Sequence, residues 1–342
     1  MTVVLTPENL HLNTQEAANS RFFNLPEPSF QSQHVLTAEQ FDPERLGGLF
    51  QVADGLREQD HDFQARRELA SRYVGRQLCS LFYEPSTRTR LSFEAAAVKM
   101  GMGVVSTENA REFSSAAKGE TIADTVRVLN EYGFDAIVLR HHETGAAAAA
   151  AAVSDVPIIN AGDGKGEHPT QALLDAYTIY ESKGRLDNLK LVLGGDLKNG
   201  RTVRSLAQLL TRYSGNHLAF VSTPEFQIGE DIKQVLKAQG TTFEETQDME
   251  AAFRGADVVY WTRLQKERLE RPDTPAPGGF TIGSVALKML PPQAIIMHPL
   301  PRVGEITPEV DADERAVYFR QAGNGLYIRM ALLDSILTQY QV

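Results

Sequence analysis

The run LCSLFYEPSTRTRLSFEAAAVKM, residues 78–100, decides the fold class. Its first six residues form an apolar strand that stops at Glu84-Pro85, and Ser-Thr-Arg-Thr-Arg at 86–90 then opens a helix running through 93–100. A strand passing through a tight turn into a helix is the first half of a βαβ unit. Short apolar runs recur at 136–139, 156–159, 189–193, 218–221, 258–261 and 294–297, each followed by a helical pattern. Strands alternating with helices predict an α/β chain of parallel sheets with helices on both faces. The 342 residues suit two such domains of roughly 150 residues each.

Working outward, Phe41, Leu46, Leu49, Phe50 and Val52 recur at helical spacing within 37–57. Seven alanines at 146–152 predict a short, close-packed helix, because alanine has the highest helix propensity. A helix over 170–182, ending at Lys183-Gly184, should link the two domains. The last helix, 326–338, is apolar enough to pack back onto the body. The stretch RPDTPAPGG at 271–279 reads as a surface loop, and the first 33 residues as a polar extension.

With 34 basic and 44 acidic residues the net charge is −10, which argues against a nucleic-acid partner. Anionic ligands would therefore need arginines and lysines gathered locally. Cys79 is the single cysteine, so no internal disulfide forms, and its apolar neighbours suggest a buried, reduced thiol. The N-terminus has no basic segment followed by an apolar one, and no stretch approaches the ~18–20 apolar residues of a membrane span. The expectation is a soluble, cytoplasmic protein with no membrane partner.

The turn at 84–90 is the first candidate site. Ser86 or Thr87 can cap the helix, whose free N–H groups and positive dipole end attract anions. The hydroxyls of Ser86, Thr87 and Thr89 add donors, and Arg88 adds a planar fork matched to phosphate oxygens. One hydroxyl and one arginine would suggest only a capped, solvated helix; three and two in five residues do not. Arg140 follows the strand 136–139, at a carboxyl end, where open α/β sheets bind ligands. His168 lies in DGKGEHPTQ, residues 163–171, at the start of the linking helix. In LVLGGDLKNGRTVRSLA, 191–207, a strand ends in glycines and a loop reaches Arg201; the G-x-G-x-x-G spacing of a dinucleotide site is absent. YWTRLQKER at 260–268 and HPLPR at 298–302 follow two further strands, and FSSAAKGE at 113–120 is a small-residue loop bearing Lys118.

The run EPSTRTRLSFE, 84–94, resembles the carbamoyl-phosphate loop of the aspartate/ornithine carbamoyltransferase family, and the resemblance extends from about residue 34 to the C-terminus. It implies a carbamoyl-phosphate-binding domain over 34–172, closed by the C-terminal helix 323–342, and an aspartate-binding domain over 173–322, with 1–33 outside. Ser86, Thr87, Arg88, Thr89 and Arg140 would hold carbamoyl phosphate. Thr89, Arg140 and His168 would polarise its carbonyl, and Gln171 would bind its amide, an oxyanion-hole arrangement. The backbone carbonyls of Leu300 and Pro301 would accept from the substrate amine and carbamoyl amide.

Arg201 would take the α-carboxylate of L-aspartate, Arg263 and Gln265 its side-chain carboxylate, and Lys118 would also bind aspartate. Ser114 and Lys118 would enter the site of the adjacent subunit in a homotrimer, and Glu84 would pair with Arg268 across the domain gap. The implied reaction is carbamoyl transfer to the α-amino group of aspartate, a step of pyrimidine biosynthesis, with no metal and no cofactor. Regulatory chains or dihydroorotase as further partners remain open. His142 and Gly304 depart from the family pattern. Two alternatives stand: an ornithine-type enzyme, which would need acidic groups for a second amine, and a non-catalytic scaffold, which should have lost one of Arg88, Arg140, His168 or Arg201.

Overall fold

The computed structural model describes residues 34–164, 166–265 and 280–338. Four strands form the first sheet: β1 (Gln77–Phe82), β2 (Gly103–Thr107), β3 (Ala136–His141) and β4 (Ile158–Asp163), in the order β2-β1-β3-β4. Five form the second: β5 (Lys190–Gly194), β6 (His217–Val221), β7 (Thr242–Thr246), β8 (Val258–Trp261) and β9 (Ile295–Met297), in the order β7-β6-β5-β8-β9. All seven strand pairings among the described residues are parallel. The fold is the two-sheet α/β architecture expected from the alternation of apolar runs and helices.

Apolar runs mark the strands covered on both faces, such as β3, β5 and β8. The edge strands β2 and β7 carry no such run, because their residues are mostly exposed or half-buried. Each sheet has a point where strand order reverses, between β1 and β3 in the first and between β5 and β8 in the second. Ligands of open parallel sheets lie beyond the carboxyl ends of the strands at such points. Residues 83–90 and 140–142 leave the first reversal, and 194–201 and 262–265 leave the second.

The linking helix, Pro169–Lys183, is buried over most of its length and packs on the helix Arg201–Leu210. The C-terminal helix, Tyr318–Thr338, packs on the linking helix and on the helices Pro43–His61 and Thr87–Lys99. It starts ahead of the expected residue 326, through a polar first half (Gln321, Gly323, Asn324, Gly325) that carries no apolar signal. A Cβ on Gly325 would lie 3.1 Å from Leu174 Cδ2, so glycine permits the close approach of these two helices. One apolar core runs through both sheets, joining Leu78 and Val138 to Leu191 and Val258. Cys79 lies in a separate outer cluster, and burial pushes its thiol up to about 12, as expected of an inert cysteine.

Gly195, just past β5, has φ +100°, and a Cβ there would stand 2.0 Å from the Thr262 carbonyl oxygen. Alanine cannot enter without pushing the β5 and β8 ends apart. Gly195→Ala should lower unfolding free energy by roughly 1–3 kcal/mol, read from urea melts.

Candidate active site

The two reversal points face each other across a cleft of about 920 Å³. Five arginines line it (Arg88, Arg140, Arg201, Arg263 and Arg329), with Glu84 the one carboxylate among the described lining residues. A chain of net charge −10 has thus concentrated cations where two sheets present their ligand-binding ends.

On the first side, the helix Thr87–Lys99 begins with Ser86 at the N-cap position. The Ser86 hydroxyl makes no capping bond, contrary to the simplest reading of the turn, and lines the cleft instead. Burial lowers the pKa of Arg88, and the guanidinium of Arg263 across the cleft lowers it further. Like charges held close in this way favour an anion between them. Arg140 donates through Nη1 to the Ala161 carbonyl at 3.2 Å, and its Nη2 lies 3.6 Å from Glu84 Oε2. Arg201, only 6% exposed, donates through Nη1 to the Gly164 carbonyl at 2.8 Å. Both guanidiniums crowd over Gly162, where φ is +114° and a Cβ would sit 2.9 Å from Arg201 Nη2 and 3.2 Å from Arg140 Nη1. Glycine at 162 is what lets a cation from each half meet.

His168 occupies the N-cap position of the linking helix, and its buried Nδ1 has no hydrogen-bond partner among the described residues. Burial above all, then the positive charges of Arg201, Arg140 and Arg329, hold its pKa well below 6.5. The ring is therefore neutral at physiological pH, suited to donating a hydrogen bond rather than a proton. An NMR titration of the labelled ring should show no protonation near pH 6.5. The unfolded chain takes up that proton and the folded chain resists it, so His168 contributes a loss of stability as pH falls below 6.5. His168→Asn should abolish that share of the loss in melts compared at pH 7.5 and 5.5.

On the second side, Asp196 binds the ends of β5 and β8 together: its Oδ1 accepts from Asn199 N at 3.0 Å and its Oδ2 from Gln265 N at 3.1 Å. Thr262 Oγ1 donates to the Gly194 carbonyl at 3.1 Å. These bonds fix the backbone that carries Arg263 and Gln265. Arg263 Nη1 donates to the Leu264 carbonyl at 3.2 Å.

The loop after β9 is held from beneath. His298 N donates to Gln321 Oε1 at 2.9 Å, Leu300 N donates to His298 Nδ1 at 2.7 Å, and His298 Nε2 lies 2.7 Å from Glu305 Oε1. With Nδ1 accepting, the proton sits on Nε2 and faces the carboxylate. Leu300 has φ +54°, and the Leu300–Pro301 peptide is cis.

Glu84, Ser86, Thr87, Arg88, Thr89, Arg140 and His168 thus meet in one cleft with Gln171, Arg201, Arg263, Gln265, Leu300 and Pro301. Ser114 and Lys118 are not among its described lining residues; Lys118 ends the turn Ser115–Lys118 and Ser114 caps its start, with Ser114 Oγ accepting from Ala116 N at 3.1 Å. Arg268, the loop 271–279, Lys165 and the extension 1–33 lie outside the described residues. Glu84, expected opposite Arg268, lies within reach of Arg140. His142 stacks on His141, with ring centroids 4.3 Å apart, and Gly304 takes φ +119°. The cleft also contains residues the sequence reading passed over: Thr202, Thr262, Gln321 and Arg329. Arg329 left one signal, a charge on the apolar face of a helix.

Two family models cover almost the whole described chain: the carbamoyl-P binding domain of aspartate/ornithine carbamoyltransferase over residues 33–181, and its Asp/Orn binding domain over 187–336. The chain belongs to the aspartate/ornithine carbamoyltransferase family. Within that family it is 53% identical over 307 residues to the chloroplastic aspartate carbamoyltransferase of Oryza sativa subsp. japonica, covering 89% of this chain and 84% of that one. It is 51% identical to the chloroplastic enzyme of Arabidopsis thaliana, covering 90% and 78%. Among solved structures, aspartate transcarbamoylase of Trypanosoma cruzi with carbamoyl phosphate and aspartate has a TM-score of 0.82 at 38% identity, covering 91% of this chain and 98% of that one. The same enzyme with carbamoyl aspartate and phosphate has a TM-score of 0.81, at 38% identity and with 91% and 97% covered. The plant relatives overturn the cytoplasmic expectation: both are chloroplastic enzymes.

Proposed function

We infer that the chain transfers the carbamoyl group of carbamoyl phosphate to the α-amino group of L-aspartate, giving N-carbamoyl-L-aspartate and phosphate. The observation that carries this is the five-arginine cleft spanning two strand-order reversals, in a chain whose structural relative holds both substrates. Residues of the first sheet and its flanking helices form the carbamoyl-phosphate domain, joined by the C-terminal helix, and those of the second sheet the aspartate domain. An assay of carbamoyl-aspartate formation, with ornithine as the control acceptor, tests the reading directly. An ornithine-type site would need carboxylates for a second amine, whereas the second side supplies Arg201, Arg263 and Gln265. A scaffold role is disfavoured because Arg88, Arg140, His168 and Arg201 are all retained.

In this reading Ser86, Thr87, Arg88 and Thr89 grip the phosphate, while Arg140 and neutral His168 polarise the carbonyl oxygen. The aspartate amine attacks the carbonyl carbon, and the resulting oxyanion is met by donors already in place. The C–O bond to phosphate then breaks. Glu84 lies beside Arg140 and His168 is held neutral among arginines, so the departing phosphate is the best-placed group to take the amine proton. Arg201 and Arg263 hold the two carboxylates of aspartate. Ser114 and Lys118 act on the neighbouring subunit of a homotrimer, and a plastid is the compartment the plant relatives support.

Arg263→Ala leaves a substrate carboxylate without its bidentate partner and should weaken aspartate binding by roughly 2–3 kcal/mol. Carbamoyl phosphate binding should be retained, since the ligands of its phosphate leave the other sheet. Calorimetry showing equal loss for both ligands would contradict the division of labour.

A further inference from the structure

Beneath the cleft, and not lining it, Asp175 is completely buried one helical turn past Gln171 on the linking helix. Three side chains from three elements donate to it. Gln171 Nε2 reaches Oδ1 at 2.8 Å, Gln321 Nε2 of the C-terminal helix reaches the same oxygen at 2.6 Å, and Tyr260 of β8 donates to Oδ2 at 2.8 Å. Arg329, buried with its guanidinium 5.1 Å over the Phe93 ring, supplies positive potential to the carboxylate.

An ionised carboxylate only accepts hydrogen bonds, so it dictates which end of each neighbouring amide turns towards it. Both glutamines must offer nitrogen and present oxygen on the far side. For Gln321 the consequence is visible: its Oε1 accepts from His298 N at 2.9 Å and so anchors the loop that carries Leu300 and Pro301. For Gln171, which lines the cleft, the same constraint leaves Oε1 as the end of the amide not spent on Asp175.

We propose that Asp175 is a positioning residue that sets the end-for-end orientation of the Gln171 amide, so that the cleft presents an acceptor matched to an acyl phosphate bearing N–H₂ and mismatched to one bearing a methyl group. The proposal rests on the carbamoyl-phosphate reading of the cleft. It makes acceptance of the carbamoyl over the acetyl group a property of a residue that touches neither. Acetyl phosphate, nearly isosteric with carbamoyl phosphate, is the natural probe, because a site built to accept from an N–H penalises an analogue that lacks it.

Dissociation constants for carbamoyl phosphate and acetyl phosphate are measured by calorimetry at pH 8, above the value of about 7 to which burial pushes Asp175. Asp175→Asn keeps the volume but can turn a donor towards Gln171, which then offers oxygen to the substituted side chain and nitrogen to the ligand. Carbamoyl phosphate should then bind roughly 10–100-fold more weakly, while acetyl phosphate changes little, so their ratio collapses. In a Gln171→Ala background the same substitution should leave the ratio unmoved, because there is no amide left to orient. Equal weakening of both ligands would reduce Asp175 to a structural role and overturn the proposal. An unchanged ratio, or a full further loss in the Gln171→Ala background, would overturn it too. If the unmodified enzyme itself fails to bind carbamoyl phosphate, the functional reading falls rather than the role of Asp175. Should Asp175→Asn not fold, neutron diffraction from the unmodified enzyme decides the matter. Deuterium on the Gln171 nitrogen facing Asp175 is expected, and deuterium on the carboxyl oxygen facing Gln171 would refute it.

Discussion

Arg88→Ala should lower kcat by roughly 10²–10³-fold, about 2.7–4 kcal/mol of barrier, with far less effect on the KM for aspartate. The expectation follows from where Arg88 stands. It is the second residue of a thirteen-residue helix, beside the first-turn N–H groups, and its side chain has no ion-pair partner among the described residues. Burial and the opposing charge of Arg263 already disfavour its protonated form. On the proposed mechanism the guanidinium interacts most strongly with the group that accumulates negative charge, the departing phosphate. Because the side chain lines the cleft rather than the core, its removal should leave the melting temperature nearly unchanged. Arg88→Lys should recover part of the loss, since it restores the charge without the planar fork. A near-normal kcat for Arg88→Ala, measured at saturating substrates, would make the turn at 84–90 structural.

What could be read in advance was what lies close together in sequence. Continuous apolar runs reveal strands buried on both faces, which is why β1, β3, β4, β5, β6, β8 and β9 were legible and the edge strands β2 and β7 were not. The same holds for the cleft. Ser86 to Thr89, Arg140, Arg201 and Arg263 each leave the carboxyl end of a strand or open a helix, and a local pattern marks each one. The Asp175 network has no such mark. Gln321 meets Asp175 across 146 positions and Tyr260 across 85, and each looks like an ordinary polar residue in its own helix or strand. Gly162 is equally mute in sequence, since nothing local says that two guanidiniums will converge on its missing side chain. The site's ligands are therefore written locally and its supports non-locally, through the packing of the linking and C-terminal helices.

Lys118 and Ser114 raise a different question, because the described residues lining the cleft do not include them. The turn that carries them sits in a small-residue loop, and Phe113 beside it is 78% exposed. An exposed aromatic next to a lysine expected at an active site suits a segment that serves a neighbouring subunit. On this hypothesis Lys118 acts in trans and His168 within its own chain, and a mixing experiment separates the two cases. Lys118→Ala and His168→Ala should each be inactive alone. Dissociated, mixed and reassembled as head-to-tail rings of three, every mixed trimer contains one interface at which an intact His168 faces an intact Lys118. One of its three sites is then complete, and activity should appear although neither parent has any. If Lys118 serves its own subunit, every site in every mixture carries one lesion and nothing is recovered. Light scattering establishes that trimers re-form, and differently tagged parents establish that they mix. Persistent inactivity in verified mixed trimers would sink the shared-site assignment, while the chemistry assigned to Arg88, Arg140 and His168 would stand on its own evidence.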